Sequence, residues 1–203
     1  MRIFKEEKLL IATRNPGKRA LLESCLKPYN IPLVMGEDID IADPEETGTT
    51  FEENAFIKAT AYCQASGLVT LSDDSGLVVP ALDGAPGVYS ARFSAENGGY
   101  MGAFKKLETM LEGKDPKAVF VCALVLMWPD GHYEKTQGEV WGRLTFPPRI
   151  GRGFGYYPVF IPEDETRTFS QMTEEEMSVY NHRVRSFESF KPIFDGTKQE
   201  NKS

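Results

Sequence analysis

No apolar run in this chain approaches the roughly 18 residues that a membrane-spanning helix needs, so no membrane partner is expected. Cysteine is scarce, and Cys25, Cys63 and Cys122 all sit inside apolar periodic segments. No Cys-x-x-Cys spacing is present, which leaves reduced core residues as the reading rather than a metal or redox pair. Basic charge is in deficit. With 23 Lys and Arg against 30 Asp and Glu, the net charge of −7 argues against a nucleic-acid polymer as partner, because phosphate backbones call for a basic face. A single nucleotide is not excluded, since a local cluster of Lys18, Arg92 and Arg183 is enough to hold one triphosphate. Internal repeats and low-complexity tracts are absent. So is the P-loop signature of four residues between two glycines followed by Lys-Ser/Thr. Met1 to Lys8 is polar and too short for a signal peptide, so the cytoplasm is expected.

What is present is ordinary for a globular chain. Its 203 residues are 41% hydrophobic and 26% charged, which suits one domain over residues 1–203, with 1–7 and 196–203 as flexible tails. Leu9 to Ala12 reads as a buried strand, followed by a helix with Leu21, Leu22, Cys25 and Leu26 on one face. Thr50 to Glu53 fits a capping box and opens a helix over 51–66. Tyr100, Phe104, Leu107 and Leu111 share the face of another helix. Ala118 to Met127 is a continuous apolar strand, joined through Pro129-Asp130-Gly131 to a strand over 133–140. Val159 to Ile161 is a strand after a glycine- and aromatic-rich stretch. A last helix opens at Thr173, buries Met177, Tyr180, Val184 and Phe187, and stops before Pro192. Alternating strands and helices with a central hairpin predict an α/β fold, a mixed sheet flanked by helices.

Two segments carry chemistry. Thr13-Arg14-Asn15-Pro16-Gly17-Lys18 joins a strand to a helix and offers a hydroxyl, an amide, an ammonium and backbone N–H groups beside a positive helix end. It reads either as a phosphate cradle or as a common Asn-Pro-Gly turn. Val69 to Ser72 reads as a short strand ending in Asp73-Asp74-Ser75-Gly76. Side chains alternate along a strand, so only one of these aspartates would face a given site. A carboxylate there can bind Mg²⁺ or act as a general base on water, the alternative being a solvated turn.

These segments, with Glu45 to Gly48, Phe51 to Ala55, Gly84 to Arg92, Gly153 to Tyr156 and Asn181-His182-Arg183, make the chain resemble the inosine/xanthosine triphosphate pyrophosphatases. The matching blocks keep the family's order over roughly residues 8 to 190. The resemblance implies a long sheet splayed into two lobes with the active site in a cleft between them. It implies Mg²⁺-dependent hydrolysis of ITP, dITP and XTP to monophosphate and pyrophosphate, and a homodimer. Asp74 would be the base that activates water and a metal ligand, with Glu45 and Asp73 completing the metal set. Thr13, Arg14, Asn15, Pro16, Gly17, Lys18, Ser75 and Arg92 would bind phosphate. Phe154 would stack on the base beside Gly155, Tyr156 and Tyr157, and His182 and Arg183 would donate to a purine O6. Without the resemblance, Glu45 and Glu46 read as a solvated charge run, Arg92 as a surface arginine and Phe154 as a core aromatic.

Two positions depart from the family pattern. Tyr157 stands where an aspartate is usual, and Met177 where a lysine is usual. The departures bear on substrate preference, and they leave open a relative redirected to another triphosphate, or a catalytically weak nucleotide-binding protein.

Overall fold

The computed structural model describes residues 1–196, except for the side chain of Ser178. Six strands form one mixed sheet: β1 (Leu9–Ile11), β2 (Leu33–Met35), β3 (Thr70–Val78), β4 (Lys117–Met127), β5 (Tyr133–Leu144) and β6 (Phe160–Pro162), in the order β2-β1-β3-β4-β5-β6. β1 pairs parallel with both β2 and β3, Leu10 lying opposite Val34 and Thr70, while β5 and β6 pair antiparallel. The helices are α1 (Pro16–Leu26), α2 (Phe51–Ser66), α3 (Ser90–Glu96), α4 (Tyr100–Met110), α5 (Glu174–Tyr180), α6 (His182–Glu188) and α7 (Lys191–Asp195). Among the described residues, no helix is long and apolar enough to cross a membrane.

The chain divides into two compact units. The first comprises Met1–Asp74, Cys122–Gly138 and the chain from Arg183; the second comprises Ser75–Val121 and Glu139–His182. In the first, Leu9, Ile11, Leu22, Leu26, Leu71, Cys122, Leu124, Trp128, Phe187 and Phe194 form the core. In the second, the core is built by Leu77, Phe104, Leu107, Phe120, Val140, Tyr157, Phe160 and Phe169 among others. Cys63 and Cys122 are buried, Cys25 is half-buried, and all three are free thiols.

Several expectations are corrected by what the chain packs against. β3 does not end at Ser72 but continues through Asp73, Asp74, Ser75 and Gly76 to Val78. The two aspartates are therefore strand residues buried in the sheet. The last helix is broken: Asn181 is extended, with φ −69° and ψ 124°, so α5 stops at Tyr180 and α6 starts at His182. Pro192 does not follow a helix end but sits in the first turn of α7, where its missing N–H costs nothing.

Residues 1–7 were expected as a loose tail and are instead anchored. Phe4 is 1% exposed and its N–H donates to the Ile193 carbonyl at 3.0 Å. Trp128 Nε1 donates to Glu6, and the Arg2 guanidinium lies 4.9 Å over the Trp128 ring. The tail expected from 196 begins at the described Gly196, and 197–203 lie outside the described residues.

Candidate active site

In the first unit, the chemistry collects on β3. Asp73 is fully buried, and its Oδ2 lies 3.1 Å from Lys18 Nζ and 3.3 Å from Arg183 Nε. Burial raises its pKa, but the charges of Lys18, Arg183 and Lys58 outweigh that and hold the carboxyl well below the usual carboxylate range. Asp74 is 6% exposed and behaves oppositely. Burial pushes its pKa up to about 6; Lys18 and Lys58 oppose the shift, whereas Glu46 and Asp73 add to it. Two adjacent carboxylates are thus driven to opposite protonation behaviour, the pattern by which environments assign acid–base roles.

Asn54 fixes the orientation of Asp74. Its Nδ2 donates to Asp74 Oδ2 at 3.3 Å, while its own Oδ1 accepts from the Gly48 N–H at 2.8 Å. The second bond settles which end of the amide is the donor. Lys58, one turn further along the same face of α2, donates to the Asp73 carbonyl at 3.0 Å and pairs with Glu46 at 2.6 Å. Burial lowers the Lys58 pKa, but Asp73, Glu46 and Asp74 together raise it more, so it stays a cation. Asn54, Lys58 and Glu46 were given no site role from the sequence. The signal was the i, i+4 pair Asn54 and Lys58 on α2, obscured because Phe51 to Ala55 already had a sufficient role as a helix start.

Gly48 must be a glycine for reasons of space. A Cβ there would lie 2.6 Å from Glu53 Cβ and 2.7 Å from Asn54 Oδ1. Both neighbours are close to the α2 backbone and have little room to yield. Gly48→Ala is therefore expected to displace Asn54 and lower kcat/KM by about tenfold, through kcat more than KM, with α2 still folded by circular dichroism. The tenfold figure corresponds to losing one hydrogen bond to a charged group, about 1.5 kcal/mol. An unchanged kcat would show that Asn54 has no part in holding Asp74.

The Thr13 to Lys18 segment is built differently from the cradle expected of it. Asn15 is the N-cap of α1, and its Oδ1 accepts from the Gly17 and Lys18 N–H groups at 2.9 and 3.1 Å. Those two donors, which the cradle reading gave to phosphate, are thus already bonded. Pro16 occupies the first helical position, as its fixed φ favours. Gly17 is simply part of the first turn. Thr13 Oγ1 accepts from the Asn15 N–H at 3.2 Å, and Arg14 turns away to the Ile41 carbonyl and to Asp43. Lys18 is the member of this segment that the structure brings to the aspartates.

Glu45, expected as a metal ligand, is exposed, whereas its neighbour Glu46 is half-buried and electrostatically coupled to Asp74. Among the described residues, no three His, Cys, Asp or Glu side chains gather to hold a metal. The expected set of Glu45, Asp73 and Asp74 is therefore not assembled, and Asp73 faces cations instead. The chemistry of the donors nevertheless fits a hard divalent cation. Asp74 and Glu46 are mutually repelling carboxylates, and such ions bind through one or two carboxylates together with substrate phosphates.

The second unit holds the remaining expected residues. Ser75 is half-buried in β3, and Arg92 is exposed with its guanidinium 5.2 Å over the Tyr89 ring. Phe154 is half-buried, 5.2 Å from Tyr157, and Gly155 follows at φ 67°. Tyr156 is a core residue. Its hydroxyl donates to the Ser90 carbonyl at 2.7 Å, and its ring meets Tyr100 edge-on at 5.3 Å. Met177 is half-buried against the core of this unit together with Tyr180. The face it was expected to share with Val184 does not exist, because Val184 belongs to α6. His182 is 1% exposed, its ring stacked on Phe120. Arg183, expected beside it as a base donor, pairs in the first unit with Asp73.

These features describe an α/β protein with a buried acid–base centre on a strand of its mixed sheet. The chain belongs to the Ham1 family, whose model matches residues 9–193. It is 46% identical over 172 residues to the dITP/XTP pyrophosphatase of Rhodopseudomonas palustris, covering 82% of each chain. It is 42% identical over 207 residues to that of Brucella melitensis, covering 94% of each. Among solved structures, a HAM1 protein from Coxiella burnetii superposes with a TM-score of 0.87 at 31% identity, over 94% of this chain and 100% of that one. The Staphylococcus aureus Ham1 protein gives 0.83 at 33% identity, over 93% and 98%.

Proposed function

We propose that this protein hydrolyses non-standard purine nucleoside triphosphates, ITP, dITP and XTP, to the monophosphate and pyrophosphate. The observation that carries the reading is Asp74, a buried carboxyl with its pKa pushed up to about 6 beside the cations Lys18 and Lys58. The names of the relatives support the substrate class. A carboxylate poised near neutral pH accepts a proton from water as that water attacks phosphorus, and can then pass it to solvent. Lys18 and Lys58 neutralise charge on the phosphates, with Asp73 orienting the first ammonium group and Glu46 the second. Mg²⁺ would be held by Asp74 and Glu46, where it would offset phosphate charge. Phe154 would stack on the purine, and His182 would donate to its O6. Adenine presents an amino group there, leaving donor against donor, which is how a site built for an acceptor rejects it. The proposal extends to a cytoplasmic homodimer, on the resemblance alone.

Pyrophosphate release from a panel of triphosphates with Mg²⁺ tests the reading. ITP, dITP and XTP are expected to turn over well ahead of ATP. Phosphorus NMR of the first turnover should show pyrophosphate; orthophosphate as first product would place the scissile bond elsewhere. Met177 and Tyr157 favour a second reading, a pocket redirected to another nucleotide, because neither offers the charge usual at its position. A different triphosphate leading the panel would select it.

A further inference from the structure

We propose that Tyr157 and Phe120 position His182 for reading the purine, which makes Tyr157 a specificity-determining residue of this chain. The inference rests on the assignment of His182 to the base. Asn181, extended between α5 and α6, donates from Nδ2 to the Tyr157 hydroxyl at 3.2 Å. Tyr157 is 3% exposed and its ring is held by Phe154 at 5.2 Å, Phe120 at 5.8 Å and Phe169 at 5.1 Å. One residue beyond Asn181, the His182 ring lies parallel to Phe120, 4.8 Å away with 8° between the planes. Phe120 itself packs against Phe160 at 4.5 Å and Phe169 at 5.8 Å. A single aromatic group therefore holds both the side chain of Asn181, the residue before His182, and the face of the His182 imidazole.

That double grip matters for selectivity rather than for affinity in general. A histidine that can swing accommodates either an acceptor or a donor on the ligand by turning its ring. Held in a slot, it presents its N–H in one direction, and a mismatched group is left with an unpaired partner. Fixing the ring before binding also removes an ordering cost at the moment of binding. A phenol suits this task at position 157, because it accepts from Asn181 while its ring joins the aromatic packing. An aliphatic or charged side chain could not supply both contacts.

The test compares wild type with Tyr157→Phe, which deletes one oxygen and keeps the ring, and with Asn181→Ala and the double variant. The chain has two histidines, and His132 is exposed with 42% of its side chain open to solvent, so the imidazole proton resonances are assigned by exclusion. His182 is expected to be shifted by the ring current of Phe120. In Tyr157→Phe that shift should shrink or the line broaden, and kcat/KM for ITP should fall by about two- to tenfold, the range for one neutral hydrogen bond. The fall should come through KM, with ATP affected less, so the ITP to ATP ratio drops. The double variant should lose no more than either single one, since both break the same contact. Phe120→Leu, checked for folding by its thermal midpoint, should abolish the ring-current shift outright. An unchanged ITP to ATP ratio in Tyr157→Phe overturns the inference, whether or not the His182 resonance moves. If wild type itself shows no preference for ITP over ATP, the functional reading fails first, and the resonances alone report whether Tyr157 holds the ring.

Discussion

Asp74→Asn is expected to reduce turnover by ~10²-fold or more at saturating Mg²⁺ and nucleotide, the usual loss when a general base is removed. The new amide has the same shape and still accepts from Asn54, so the pocket around it is preserved. The same substitution has an opposite effect on stability. Burial is the main reason the Asp74 pKa is pushed up to about 6, which means that the folded protein disfavours the ionised form. An acid whose folded pKa is raised holds its proton between the unfolded value, about 3.9, and the folded one. Its cost to stability is thus absent below the unfolded value, grows as pH rises between the two, and is fully present above about 6. Asp74→Asn removes that cost. Its thermal midpoint should match or exceed wild type at pH 8, and the difference should shrink by pH 5. Wild-type kcat/KM should climb with pH through the same region as the carboxylate forms. A variant that keeps more than about a tenth of the rate would take Asp74 out of the role of base. One less stable than wild type at pH 8 would contradict the buried-charge account. A dead enzyme that melts later is the signature of a group retained for chemistry at a cost in stability.

How far the sequence led depends on whether the deciding interactions were local. Capping was legible: Thr50 and Glu53 close the box expected for α2, with Glu53 N donating to Thr50 Oγ1 at 3.1 Å. The apolar run over 118–127 became β4, and the hairpin turn at Trp128 to His132 formed where Pro129-Asp130-Gly131 stood. Non-local compensation was not legible. Asp73-Asp74 looked like a turn because charged pairs seldom lie inside a strand. They do so here because Lys18, Lys58 and Arg183 arrive from segments far away in sequence. The helix break at Asn181 was hidden for a similar reason, since the hydrogen-bond partner is Tyr157. Asn15 was recognised as a functional type of residue, but capping and phosphate binding use the same amide and the pattern could not separate them. The N-terminal segment looked polar and loose, whereas Phe4, Arg2 and Glu6 each find partners near positions 128 to 134 or at Ile193 and Phe194.

Asp73→Asn should be the most destabilising conservative change in the first unit. Replacing a buried ion pair outright is often neutral, because the attraction only offsets the desolvation of both partners. At Asp73 the balance tips further. Although burial pushes its pKa up, Lys18, Arg183 and Lys58 hold it below the usual carboxylate range, so attraction exceeds desolvation. Neutralising Asp73 alone leaves Arg183, with 5% of its side chain exposed, and Lys18, with 16% exposed, facing each other without the anion between them. Removing one partner of such a buried set typically costs about 3–5 kcal/mol. For a chain of this length that is a fall in thermal midpoint on the order of 10 °C. The pH window differs from that of Asp74. An acid with a depressed folded pKa contributes stability that is fully present above its unfolded value of about 3.9 and is lost as pH falls through the folded one. The gap between wild type and Asp73→Asn should therefore be the same at pH 5 and pH 9, where that of Asp74→Asn changes. The double variant Asp73→Asn/Arg183→Met should recover part of the loss, because it removes the stranded guanidinium as well as the carboxylate. Thermal unfolding of the three proteins across that pH range decides the matter. A gap of less than about 2 °C, or one that closes by pH 5, would mean that solvent rather than Asp73 balances the two cations.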